Sequence, residues 1–128
     1  MAALPCPCQS GKSFADCCSP VITGELPAKT AEALMRSRYT AFTLHDEAYL
    51  LASWHPSTRP ASLDLASEPA PKWIGLQVRQ QVQTGEDTAI VEFVARYRIG
   101  GKAHRLHETS RFKREDHRWL YVNGELQE

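Results

Sequence analysis

Hydrophobic and polar residues alternate from Trp73 to Val122, which is the period of β-strands with one buried face. Polar or glycine-containing interruptions divide this stretch into four strands, and Asn123-Gly124 is predicted to close the last one. The interruptions are 84–87, 100–101 and 115–117. Gly100-Gly101 is a strong hairpin signal because both residues tolerate positive φ. The pattern therefore predicts an antiparallel meander.

One face of the predicted sheet is apolar except for two residues of the third strand. The row comprises Ile74, Leu76, Val78 and Val82, then Ala89, Val91, Phe93, Ala95, Tyr97 and Ile99, then Leu106, Glu108, Ser110 and Phe112. In the fourth strand either Trp119 and Tyr121 or Leu120 and Val122 share this face. A buried carboxylate needs a cation or a raised pKa. We therefore predict that Glu108 pairs with Arg38 or Arg59.

A period of three to four residues follows Thr30 and indicates an amphipathic helix. Thr30 is a suitable N-cap residue. The predicted inner face comprises Ala31, Leu34, Met35, Arg38 and Phe42. A second short helix is expected over Asp46–Ala52, and a helical turn over Leu63–Ala66. Helices followed by an antiparallel meander define an α+β fold.

All four cysteines lie near the start of the chain, as Cys6-Pro7-Cys8 and then Cys17-Cys18. Four thiolates can surround one zinc ion tetrahedrally, with Zn–S distances of about 2.3 Å. Gly11 permits a tight turn between the two pairs, and Lys12 would offset part of the negative charge. We predict one structural Zn²⁺ per chain, bound by Cys6, Cys8, Cys17 and Cys18. Four protein ligands leave no open position for catalysis by the metal.

Two other roles for the cysteines are disfavoured. Residues 1–7 do not resemble a signal peptide, so we expect a cytoplasmic protein, in which structural disulfides are rare. A redox dithiol normally takes the form Cys-x-x-Cys near a βαβ unit, and the sequence shows neither. The sequence thus favours metal binding over both alternatives.

Composition argues against a nucleic-acid-binding protein and against a membrane-spanning one. Lys+Arg and Asp+Glu both number 15 among 128 residues, whereas nucleic-acid binding favours a basic domain. No apolar stretch approaches the roughly 20 residues that span a membrane. We expect one modest domain beside the cysteine segment and no membrane span, and nucleic acid is disfavoured as a partner.

The segment Cys-Pro-Cys-x-Ser-Gly-Lys-x-Phe-x-x-Cys-Cys, within Pro5 to Cys18, resembles the SEC-C motif. This motif also forms the zinc-binding tail of the preprotein translocase ATPase SecA, a tail that is implicated in contacts with a chaperone and with ribosomes. The resemblance implies a protein-docking surface. Its candidate residues are Gln9, Lys12, Ser13 and Phe14.

The rest of the chain resembles the YchJ-like family of bacterial proteins, whose function is uncharacterised. The likeness rests on five segments: 34–42, 54–60, 73–76, 107–112 and 119–124. It implies a SEC-C motif at 1–20 and, at 21–128, a domain related to the nuclear transport factor 2-like fold. That fold is a cone of curved sheet closed by helices, also described as cystatin-like. We expect this cone to have its own core and to survive loss of the metal.

Two classes of function follow from this organisation. The favoured class is a zinc-binding module whose knuckle contacts a protein partner. The alternative is a small-molecule-binding protein or enzyme that uses the cone. No catalytic residue is assigned, and the sequence leans against an enzyme. The candidate pocket residues are Arg38, His55, Arg59, Tyr97, Glu108, Ser110 and Tyr121.

Overall fold

The computed structural model describes residues 4–63 and 71–127. A short 3₁₀ turn, Phe14–Asp16, precedes three helices and four strands. These are α1 (Cys18–Ile22), α2 (Ala31–Leu44), α3 (Glu47–Ala52), β1 (Lys72–Gln83), β2 (Thr88–Ile99), β3 (Lys102–Glu115) and β4 (Arg118–Leu126). The strands form an antiparallel sheet in the order β1-β2-β3-β4. The predicted α+β order is confirmed, and the helical turn expected at Leu63–Ala66 extends into residues outside the described ranges.

Helix α2 begins and ends as its sequence indicates. Thr30 has extended backbone geometry, and its side-chain oxygen accepts a hydrogen bond from the Ala33 amide at 3.0 Å. His45 ends the helix in the left-handed conformation, with φ of 56°. Asp46 then caps α3 by accepting from the Tyr49 amide at 3.0 Å. These caps fix the helical layer over one face of the sheet.

The face of the sheet that meets α2 carries the residues predicted for it in β2 and β3. Ala89, Val91, Phe93 and Ala95 are buried along β2, as is Phe112 in β3. Gly100 and Gly101 have φ of 58° and 80°, which confirms the predicted hairpin between these strands.

Strand β1 departs from simple alternation. Register shifts between Trp73 and Gly75, and between Val78 and Gln80, interrupt its pairing with β2. Each shift reverses the side on which the following residues lie. Ile74 and Val82 are consequently 38% and 40% exposed, so their predicted inward placement was wrong. Trp73 takes the inner position instead, opposite Tyr97.

The sequence left open which pair of β4 residues faces the helices, and the structure places Trp119 and Tyr121 there rather than Leu120 and Val122. Trp119 and Tyr121 pack against the hydrophobic core, with Tyr121 opposite Phe112 next to a register shift in β3. The strand also continues past Asn123 and Gly124, which pair with Arg111 and Ser110. Asn123-Gly124 therefore does not close the strand as predicted.

The cysteine segment shares the core of the α+β domain. Cys6, Cys8 and Cys18 are buried in the same cluster as Leu34 and Met35 of α2. This cluster continues to Leu76, Phe93 and Phe112 of the sheet. The N-terminal segment is thus packed as part of the fold.

Candidate metal centre and cavity

The four cysteine sulfurs converge at the N-terminal end of the fold. All four Sγ atoms lie within 4.8 Å of one another. The Sγ atoms of Cys8 and Cys17 are 3.6 Å apart, and those of Cys17 and Cys18 are 3.9 Å apart. A tetrahedral zinc site with Zn–S bonds of about 2.3 Å has S–S edges of about 3.8 Å. The four thiols are free of disulfides, so this cluster is compatible with binding a metal ion.

Backbone hydrogen bonds shape the turn that carries the first pair of sulfurs. The Cys6 amide donates to the Lys12 carbonyl, and the Gln9 amide donates to the Cys6 carbonyl, both at 3.0 Å. Gln9 and Gly11 have positive φ, of 61° and 90°. Ser10 Oγ lies 3.1 Å from Cys17 Sγ and so links the turn to the second pair. Such outer contacts orient metal ligands.

The knuckle, defined here as residues 5–18, is attached to α2. Arg36 Nη1 donates to the Cys8 carbonyl at 2.8 Å, while Arg36 Nε is held by Glu32 at 3.0 Å. Thr40 Oγ1 lies 3.7 Å from Cys6 Sγ. The helix therefore contacts both residues of the first cysteine pair.

The knuckle is also attached to β1, at its first register shift. Gln9 Nε2 donates to the Ile74 carbonyl, and Gln9 Oε1 accepts from the Leu76 amide, both at 3.4 Å. The side-chain amide of Gln9 lies 3.8 Å from where a Cβ of Gly75 would stand, an ordinary contact distance, so this approach does not require glycine. One side chain thus satisfies backbone groups on both sides of the bulge.

The cysteine thiols differ in acidity because they share hydrogen bonds in a buried cluster. Hydrogen bonding from Cys18 lowers the pKa of Cys8 to about 4. The same bond, with burial, raises the pKa of Cys18, and burial raises the pKa of Cys17. Hydrogen bonding and burial thus favour a thiolate at Cys8 and disfavour thiolates at Cys17 and Cys18. A bound divalent cation removes that obstacle by replacing the protons.

The structure places the four candidate docking residues differently. Gln9 is engaged with β1, and Ser13 Oγ donates to Asp16 Oδ2 at 3.0 Å. Phe14 is half-buried and packs against the core. Lys12 is exposed, and its ammonium makes no hydrogen bond or ion pair within the described residues. Lys12 is the most available of the four for an external contact.

A cavity of about 270 Å³ lies between α2 and the inner face of the sheet. Of the candidate pocket residues, Arg38, Glu108, Ser110 and Tyr121 line it. The other lining residues, which were not predicted as a pocket, are mainly aromatic or aliphatic. They are Met35, Tyr39, Phe42, Trp54, Trp73, Phe93, Ala95, Leu106 and Phe112. Their apolar periodicity signals a core position but does not reveal that a space remains between them.

The other three candidate pocket residues lie elsewhere. His55 Nε2 contacts Glu115 Oε2 at 2.9 Å, and exposed Arg59 donates twice to the Trp54 carbonyl, at 3.0 and 2.8 Å. Tyr97 stacks on His104 with ring centroids 5.2 Å apart. His55 and Arg59 are not among the residues that line the cavity, because His55 binds Glu115 of β3 and Arg59 binds the carbonyl of Trp54.

Arg38 is buried at one wall of the cavity. Its Nη1 donates to the Leu50 carbonyl at 2.8 Å and to Ser53 Oγ at 2.7 Å. Its guanidinium carbon lies 5.0 Å from the ring centroid of Trp54 and 4.5 Å from that of Tyr121. Burial lowers the pKa of Arg38 to about 10, which leaves the side chain cationic at neutral pH.

The predicted ion pair of Glu108 with Arg38 or Arg59 is absent among the described residues. Glu108 instead accepts a hydrogen bond from Ser110 Oγ. Its side chain lies over Gly124 of β4, where an added Cβ would be 3.0 Å from Glu108 Cγ. The prediction was wrong because Arg38 is compensated by a carbonyl, a hydroxyl and two aromatic rings rather than by a carboxylate.

None of the helices in 4–63 and 71–127 has the length and apolar character required to cross a membrane.

The chain matches two family profiles. The profile described as "YchJ, middle NTF2-like domain" matches residues 30–124, and that described as "SEC-C motif" matches residues 4–20. A UPF0225 protein of Ralstonia nicotianae is 52% identical over an alignment of 131 positions, which covers 94% of this chain and 90% of the relative. A UPF0225 protein of Chromobacterium violaceum is 54% identical over 127 residues, covering 96% and 93%.

Solved structures of similar proteins support the fold. The solution structure of a SEC-C motif containing protein from Rhodopseudomonas palustris has a TM-score of 0.88 at 34% identity, covering 98% of this chain and 100% of that one. A crystal structure of a SEC-C motif containing protein from Psychrobacter arcticus has a TM-score of 0.79 at 28% identity, covering 96% and 82%. The cysteine cluster, the α+β domain and these matches agree: the chain belongs to the YchJ-like family of SEC-C proteins, whose relatives are named UPF0225 proteins.

Proposed function

We propose that this chain is a zinc-binding protein whose knuckle holds one structural Zn²⁺ and serves as a contact surface for another protein. The spacing of the four sulfurs carries the first part of the proposal, because it already approximates the edges of a ZnS₄ tetrahedron. Soft thiolate ligands in tetrahedral geometry favour zinc or iron, and zinc is the usual occupant of closed structural sites of this kind. Four protein ligands assign the ion a structural role.

Native mass spectrometry of untagged protein, purified without added metal, tests this assignment. We expect the mass of one zinc ion with four protons lost, since each thiol must deprotonate to bind. The Cys17→Ser variant should lose the ion. One bound iron, or a metal-free chain lighter by two or four protons, would contradict the proposal, the latter because it indicates disulfides.

The docking role rests on the exposed side of the knuckle and on its resemblance to the SecA tail. Lys12 and Ala15 are exposed there, while the sulfurs and Gln9 are turned toward α2 and β1. This arrangement presents a small exposed surface that contains one cation, Lys12, and one carboxylate, Asp16. A partner with an acidic patch would complement Lys12.

Site-specific photo-crosslinking in bacterial cells tests that surface. A photoreactive residue at Ala15 should give a discrete protein adduct that Lys12→Glu abolishes, while metal content and thermal stability stay unchanged. The control position is Lys102, which is exposed at the β2–β3 hairpin, remote from the knuckle in sequence. The same adducts at both positions, or none at Ala15, would argue against a docking role.

A further inference from the structure

Arg38 lines the cavity, and part of its guanidinium makes no hydrogen bond within the described part of the chain. Its Nη1 is occupied by the Leu50 carbonyl and Ser53 Oγ, whereas Nε and Nη2 have no partner among the described residues. No fully shielded side-chain nitrogen or oxygen of those residues lacks a partner, so neither of these two nitrogens is completely enclosed by protein, and Arg38 is one of the residues that line the cavity. A guanidinium with two free donors is suited to bind a carboxylate through both of its oxygens.

Glu108 offers the complementary group in the same cavity. Ser110 Oγ donates to Glu108 Oε2, while Oε1 has no donor among the described residues. Glu108 and Arg38 are too far apart to pair directly, yet both line the space between them. A single ligand that carries an acceptor and a donor would satisfy both residues.

The wall between the two charged groups is apolar. Phe42, Trp73, Phe93 and Phe112 supply aromatic surface, and Met35 and Leu106 complete it. The volume of about 270 Å³ equals roughly nine water molecules at about 30 Å³ each. This is near the lower end of ligand pockets, which begin at about 300 Å³. The cavity therefore suits a small metabolite with one ring or a branched aliphatic group.

We propose that the cavity binds a small hydrophobic carboxylate that also carries an amino or hydroxyl group, of the class of apolar α-amino or α-hydroxy acids. The ligand carboxylate contacts Arg38 Nε and Nη2. Its amino or hydroxyl group donates to Glu108 Oε1, and its side chain lies against the aromatic wall. The proposal is independent of the metal and of the docking role of the knuckle.

A matched set of four compounds tests which groups the cavity recognises. L-Phenylalanine and 3-phenyllactate carry both polar groups, 3-phenylpropionate has only the carboxylate, and phenethylamine has only the amine. Isothermal titration and amide chemical-shift mapping should show that at least one of the first two binds about tenfold more tightly than each single-group compound. The stronger of the two identifies the amino or the hydroxy class. No binding in the millimolar range by either, or equal affinity for all four, overturns the proposal.

Variants assign the polar groups of the ligand to their residues. Glu108→Gln should weaken the amino acid about tenfold and leave 3-phenylpropionate unchanged. Arg38→Met should abolish binding of all three carboxylates, with the fold of the variant verified by its dispersed amide spectrum. Gly124→Ala keeps both charges but displaces the Glu108 side chain, and it should reproduce the effect of Glu108→Gln. Glu125→Gln, a change of the same chemistry on exposed β4, is the control. Equal affinities in Glu108→Gln, Gly124→Ala and Glu125→Gln contradict the assignment.

Discussion

Removal of the proposed zinc ion should destabilise the whole α+β domain and not only the knuckle. Cys8 is completely buried, and Cys6 and Cys18 are nearly so, in one cluster with Leu34 and Met35 of α2. Without a cation, negative charge on the sulfurs is no longer compensated, and the four side chains must be repacked in that core. Apparent zinc-binding free energies of about 10–16 kcal/mol in zinc-finger peptides set an upper limit to the loss. Since the free energy of unfolding of small domains is only about 5–15 kcal/mol, loss of the ion could remove most of it.

Thermal unfolding under reducing conditions, with and without a strong zinc chelator, measures this effect. We expect the midpoint to fall by more than about 10 °C, which corresponds to a loss of at least about 3 kcal/mol. In amide spectra the signals of α2 and of Leu76 should shift or broaden together with those of residues 5–18. The Cys8→Ser variant should behave like the chelated protein. Dispersed sheet signals that persist while only the knuckle is lost would support the independent core expected from sequence.

Trp73→Ala should be among the most damaging single substitutions in the sheet. Its ring lies 5.8 Å from Tyr39, 5.9 Å from Phe42 and 5.2 Å from Tyr97, measured between centroids. It therefore joins α2 to β1 and β2 at the rim of the cavity. Truncation of a large aromatic residue in a core costs about 3–5 kcal/mol, and partial exposure reduces our expectation to about 2–4 kcal/mol.

Ile74→Ala is the matched control for Trp73→Ala. The two residues are adjacent, but the register shift turns Ile74 outward, so its truncation should cost less than about 1 kcal/mol. Urea unfolding of both variants gives the difference. Similar losses in the two variants, or a larger loss for Ile74→Ala, would show that β1 keeps the simple alternation of its sequence.

The sequence predicted the elements of the fold better than their register. Thr30 and the two glycines of the hairpin are local signals, and local geometry sets the ends of helices and tight turns. A β-bulge leaves no comparable signal, because it depends on what the neighbouring strand and the knuckle present to β1. The wrong placement of Ile74 and Val82 follows from that dependence.

The cysteine cluster was easier to predict than the cavity, because it depends on local sequence whereas the cavity depends on contacts between distant elements. The cysteine cluster is encoded within thirteen consecutive positions, so its convergence needs only a turn. The cavity is assembled from α2, the loop after α3 and all four strands, and its volume depends on packing between them. Arg38 and Glu108 were recognisable as polar residues on apolar faces. That they do not pair with each other could not be predicted, because Arg38 binds Leu50 and Ser53 while Glu108 binds Ser110, and periodicity does not specify these partners.

The two register shifts in β1 have a consequence for aggregation. β1 is an edge strand of twelve residues, long enough to offer its free backbone groups to the sheet of another molecule. Bulges twist and kink such an edge, and the exposed charge of Arg79 adds a further obstacle to strand addition. The irregularity of β1 therefore disfavours the addition of a strand from another molecule at this edge, and a straightened β1 would lose that protection.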